Sequence, residues 1–279
     1  MLDGLLERYL EMQTKFQSWL ACLLIVTMFS LMGCNGQQGT SATQTGSPTP
    51  GSPSPTATIT SSPQAASLPR LEGKATVVMT VKGSPITMEL DGTSAPITAG
   101  NFVDLVNRKI YDGLVFHRVV REPQPFVVQG GDPQSKNPNV PIDRLGTGGF
   151  IDPATQQPRN IPLEITPRNA KEPIYSRTLS DAGIDAPPKL RHTRGAVAMA
   201  RSQSPDSASS QFYIALADLP FLDGGYAVFG YVTQGMETVD KIQQGDRIES
   251  AKVTQGLENL KTGASSPTAS PSPSPTTSP

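Results

Sequence analysis

Between Asn35 and Pro69 the chain carries no charged side chain, and Ser, Thr, Pro, Gly and Gln dominate; the far end repeats the pattern as SSPTASPSPSPTTSP. Segments of this kind bury too little apolar surface to offset the entropy of ordering them. They predict a disordered tether over residues 34–70 and a tail over 261–279, acting as a plain spacer or as a glycosylated or wall-binding stalk. Folding is thereby confined to one domain over residues 71–260.

Ahead of the tether, Lys15 precedes an uncharged, mostly apolar run from Trp19 to Gly33 that ends in Leu31-Met32-Gly33-Cys34. The run is shorter than the ~20 residues a membrane-spanning helix needs. A basic start, a short apolar stretch and a small final residue describe a cleaved secretory signal over residues 1–33. The Leu-x-Gly-Cys ending resembles the lipobox of bacterial lipoproteins. That implies a lipid on Cys34 and attachment to a bacterial membrane on its extracytoplasmic side; an uncleaved anchor is the other reading. Asp3, Glu7 and Glu11 are unusual before a signal, so Met12 is read as the true start. Cys22 and Trp19 would leave with the signal. The mature chain then has no partner for an intramolecular disulfide, and its domain must rely on its core.

Within the domain, Ala75–Val81 and Pro85–Leu90 are β-rich runs joined by Lys82-Gly83-Ser84, a hairpin signal. Residues 99–108 place Phe102, Leu105 and Val106 at helical spacing, behind a proline suited to a first turn. Short strands are predicted at 114–120, 126–129, 196–200, 211–215, 227–232 and 247–253. A second helix, 235–243, presents Met236, Val239 and Ile242. Many short strands with two helices predict a mainly β fold, a barrel capped by helices. Residues 171–189 look like a loop insertion.

The chemistry is sparse. Lys and Arg number 23 against 24 Asp and Glu, which leaves no basic excess for nucleic acid. His117 and His192 are the only histidines, so a zinc site or a Cys-His pair is not expected, and no cofactor is called for. His117, between Phe116 and Val119, reads as a buried, hydrogen-bonded structural histidine. Gly146-Thr147-Gly148-Gly149 follows a proline-rich loop rather than a strand and reads as a tight turn.

FHRVV, PFVVQGGDP, GTGG, GAVAMARSQSPDSASSQFYIAL and FLDGGYAVFGYV follow one another in the order seen in cyclophilins, and the resemblance covers nearly the whole domain. It implies a closed eight-stranded barrel with a helix at each end, an active groove along its outside, and peptidyl-prolyl cis/trans isomerase activity on proline-containing unfolded or extended chains, by a monomer. Arg118 matches the family's catalytic arginine. Phe126, Val127, Tyr213 and Leu222 match the slot for the proline ring, and Gln129 the contact to substrate backbone. Gln211 matches the neighbouring groove, and Ala200 and Arg201 the segment that pairs with substrate main chain. Phe221 stands where a tryptophan supports tight cyclosporin binding, and Tyr226 where a histidine is common; both changes imply weaker cyclosporin affinity. A proline-segment binding module or assembly factor on the same fold, with isomerisation incidental, is the alternative.

Overall fold

The structure is a computed structural model and describes residues 67–262. The signal, the alternative start at Met12, Cys34, the tether up to residue 66 and almost all of the tail lie outside the described residues. The main sheet is built from β1 (Lys74–Val81), β2 (Ser84–Asp91), β3 (Arg118–Val120), β4 (Val127–Gly130), β5 (Ala196–Met199), β6 (Phe212–Ala215), β7 (Val228–Gln234) and β8 (Ile248–Gln255). Their order is β8-β1-β2-β7-β5-β6-β4-β3, and every pairing is antiparallel. The β1–β2 hairpin turns through Lys82 and Gly83 at φ 49° and 71°. Left-handed residues at both central positions match the twist of the flanking strands.

The sheet curls into a half-barrel, which corrects the expected closed barrel. The end strands β8 and β3 are not paired with each other. The sequence predicts one strand over residues 114–120, but only Arg118–Val120 forms one, and within the sheet it pairs with β4 alone. The seam is spanned instead by the chain before β3, which bonds to Asp246 and to the first residue of β8: Phe116 N–H donates to Asp246 O at 2.9 Å and Ile248 N–H to Leu114 O at 2.8 Å.

The long helix, α1 (Pro96–Asn107), starts at its proline without a side-chain cap of its own. The buried carboxylate of Glu164 serves instead, accepting from Ile97 N–H at 3.1 Å and Thr98 N–H at 2.7 Å. An anion at this end satisfies orphan donors and suits the helix dipole. The sequence suggests a one-sided helix, yet every residue from Ile97 to Val106 is buried. Its polar members are accommodated by partners: Asn101 donates to Ser209 O at 2.7 Å, and Asp104 pairs with Arg159 at 2.6 Å. Phe102 anchors the core, 4.9 Å from Tyr111 and 5.0 Å from Phe229 between ring centroids. The second helix, α2 (Met236–Val239), is much shorter than 235–243. Turns carry the chain onward, and Val239 and Ile242 are still buried.

Residues 171–189 pack rather than protrude. Ile174–Tyr175 pairs with Glu164–Ile165, and Leu179 joins Leu163, Ile165 and Ala227 in a small apolar cluster. Leu179 N–H donates to Gly224 O at 2.9 Å. This loop therefore supports the segment that runs from Pro220 to Tyr226.

Candidate active groove

Strand alternation sends neighbouring side chains to opposite faces, and here both faces are used. Val128, Val197, Met199, Phe212 and Ile214 enter the main core. Their neighbours Val127, Ala196, Ala198, Tyr213 and Ala215 form a separate outer cluster, joined by Phe126, Ala200, Leu222 and Tyr226. The predicted slot residues are thus brought together on the outside of the sheet. Phe221 lies at the rim of that cluster, 71% exposed, and stacks on Phe126 with centroids 6.0 Å apart.

Arg118 and Gln129 face each other across β3 and β4. The exposed Arg118 guanidinium donates to Gln129 Oε1 at 3.2 Å and lies 5.4 Å from the centre of the Phe126 ring. Gln129 Nε2 donates to Gln211 Oε1 at 3.1 Å, and Gln211 Nε2 to Gly148 O at 2.7 Å. This relay fixes both amide orientations and ends in the GTGG loop. Asp132, fully buried, organises that loop: its Oδ2 accepts from Gly146 N–H at 2.7 Å and Gly148 N–H at 3.0 Å. The tight turn read from the sequence is therefore a wall of the groove. A side chain at Gly148 would run into the Asp132 carboxylate.

Beside the relay lies a groove of about 590 Å³, lined by Gln129, Gly148, Ala200, Arg201, Ser207 and Gln211 among others. Arg201 is held in place by its own contacts: Nε and one terminal nitrogen donate to Gly225 O at 3.0 and 2.8 Å, and its guanidinium sits 4.7 Å from the Tyr226 ring centre. A second hollow, about 460 Å³, opens at Arg118 between His117, Gln129 and Gln244.

His117 is buried as expected, but neither ring nitrogen has a hydrogen-bond partner among the described residues. Burial pushes its imidazole down, partly opposed by Asp132 and aided by Arg118. His192 and Asp223 belong to the neighbourhood of the slot; Asp223 falls within FLDGGYAVFGYV, but the sequence assigns neither residue a role there. His192 Nε2 lies 3.0 Å from the Tyr213 hydroxyl and Nδ1 2.9 Å from Asp223 Oδ1. Only the adjacency of Asp223 to Leu222 could have hinted at it. Among the described residues no His/Cys/Asp/Glu cluster could hold a metal, and no helix is long and apolar enough to cross a membrane.

Sheet, buried helix and outward groove together define a mainly β domain with a groove lined by polar groups on its outer face. Residues 76–262 match the family described as cyclophilin type peptidyl-prolyl cis-trans isomerase, and the chain belongs to that family. A Synechocystis protein named for the thylakoid lumen and for peptidyl-prolyl cis-trans isomerase is 45% identical over 210 residues, covering 72% of this chain and 52% of its own. The chloroplastic isomerase CYP38 of Arabidopsis thaliana is 41% identical, covering 69% and 45%. Peptidyl-prolyl cis-trans isomerase A of Dickeya dadantii is 37% identical, covering 60% and 70%. The chain spans about half the length of the first two of these relatives.

Proposed function

We propose that this chain is a peptidyl-prolyl cis/trans isomerase that accelerates rotation about X-Pro bonds in exported polypeptides and so assists their folding. The observation that carries this reading is an exposed guanidinium, Arg118, held by Gln129 at the edge of an apolar slot on the outer face of the sheet. Rotation about a peptide bond meets a barrier of ~18–20 kcal/mol because resonance stiffens the C–N bond, and uncatalysed X-Pro bonds take tens to hundreds of seconds. No covalent bond is made or broken, so no nucleophile or cofactor is required.

As the bond twists, the prolyl nitrogen regains its lone pair and becomes a hydrogen-bond acceptor. A donor waiting there binds the twisted amide more strongly than either planar form, which is the condition for catalysis. Arg118 supplies that donor with a permanent charge. Phe126, Val127, Tyr213 and Leu222 receive the proline ring, Gln129 contacts the substrate backbone, and Gln211 lines the next subsite. Ala200 and Arg201 flank the substrate main chain.

The lipobox-like Leu31–Cys34 ending supports a lipid anchor, and relatives named for the thylakoid lumen and chloroplast support an exported location. Palmitate labelling that is lost in Cys34→Ala tests the anchor. The test of function is magnetisation exchange between the cis and trans signals of an Ala-Pro peptide. The intact chain is expected to speed exchange at substoichiometric amounts; peptide binding without faster exchange would leave only the binding-module reading.

A further inference from the structure

Besides Phe126 and Val127, the slot has two walls that face a common support: Tyr213 on β6 and the segment that carries Leu222 and Tyr226. His192 lies behind both. Its ring is buried, parallel to Tyr213 within 15° and 6.1 Å away between centroids. Asp223 Oδ1 accepts from both the His192 backbone N–H, at 2.8 Å, and Nδ1, at 2.9 Å. Asp223 Oδ2 accepts from Arg191 Nε at 3.1 Å. The His192 carbonyl accepts from Leu219 N–H at 2.7 Å, at the entry to the same segment.

The directions of these bonds follow from the partners. An ionised carboxylate can only accept, so Nδ1 carries the ring proton and Nε2 presents a lone pair. The Tyr213 hydroxyl must then donate to Nε2. Burial pushes Asp223 up, but the bonds from His192 and Arg191 outweigh it and hold its carboxyl below the usual value. Burial, outweighing the pull of Asp223, keeps His192 below its ordinary value and therefore neutral near pH 7.

We infer that His192 is a positioning residue for the slot: by bridging Tyr213 to Asp223 it fixes the separation of the two walls that would hold the proline ring. This rests on the reading of the slot given above. The tyrosine is what makes the bridge possible, since phenylalanine there would leave Nε2 without a donor. His192 itself sits behind the slot, beneath Tyr213, and acts only through its neighbours.

The test is the Kd of an Ala-Pro peptide, with kcat and KM, for the intact chain and four variants. His192→Phe keeps a ring but strands the Tyr213 hydroxyl and removes one of the three bonds that Asp223 accepts, leaving those from the His192 backbone N–H and Arg191. It is expected to raise Kd and KM about five- to tenfold, as for loss of one or two buried hydrogen bonds, with kcat within about twofold. His192→Gln, which retains a donor and an acceptor, is expected to recover most of that loss. Tyr213→Phe should give a smaller rise, and its effect should not add to that of His192→Phe in the double variant. A folded His192→Phe protein with unchanged Kd and KM overturns the proposal, as does a fall in thermal midpoint with no change in either constant. Should His192→Phe not fold, an unchanged Kd in Tyr213→Phe overturns it equally. If the intact chain binds peptide without turnover, the isomerase reading fails while the Kd series still decides the role of His192.

Discussion

Arg118 and Gln129 are polar because of the face they occupy, and that face is set by a period of two. Val119 and Val128 between them go inward to the core, so a strand with a hydrophobic purpose can also present a working surface. At the same scale the two histidines carry a pH prediction. Both have folded-state values below the ordinary 6.5, chiefly through burial, so the unfolded chain takes up protons more readily. Stability is then full above the unfolded value of about 6.5 and is lost as pH falls below it through the folded values. Thermal midpoints measured between about pH 7 and pH 5 should fall, and His117→Phe should make the fall shallower. A midpoint that stays flat across this window would contradict the burial. Phe221 gives a further test: as an exposed ring stacked on Phe126, it lacks the indole donor. Phe221→Trp should therefore tighten cyclosporin binding, about tenfold by calorimetry on the scale of one hydrogen bond, and no gain would contradict its assigned place beside the slot.

The elements differ in how far they could be read. β1, β2 and their turn follow directly from alternation and Lys82-Gly83, and the identity of the groove strands follows from ordered motifs. The shortness of α2 and of β3 could not be read, because neither local propensity nor period says where tertiary hydrogen bonds take over, as they do at Phe116 and Ile248. α1 looks amphipathic in sequence because Asn101 and Asp104 are polar; their partners, Ser209 and Arg159, lie more than fifty residues away in sequence. The GTGG loop was legible as a turn but not as a groove wall, since Asp132 organises it across a gap in the chain. Gly148→Ala should push that loop off Asp132 and Gln134, costing about 1–3 kcal/mol as overpacking usually does. Urea midpoints should show that loss, and kcat/KM should fall about tenfold as Gln211 loses its carbonyl partner. A Gly148→Ala protein with wild-type midpoint and turnover would mean that the loop does not hold the relay.

Across the described domain, the curled sheet puts the helix-packing core and the proposed slot on opposite faces. Its inner face packs α1 through Phe102, while the outer face carries the slot and the Arg118–Gln129–Gln211 relay. Phe102→Ala should cost about 3–5 kcal/mol and lower the thermal midpoint by roughly 10 °C. Turnover well below that midpoint should stay within about twofold, and a proportionate loss of kcat/KM would show that the two faces are not separable. The central claim is that Arg118 acts on the twisted amide rather than on the bound ground state. Its most direct test measures kcat/KM and peptide Kd together in Arg118→Ala. In Arg118→Ala, kcat/KM is expected to fall by about 10²–10³, the cost of removing one transition-state donor, with Kd within about threefold. Turnover within about fivefold of wild type, or a Kd that weakens in step with kcat/KM, would contradict it.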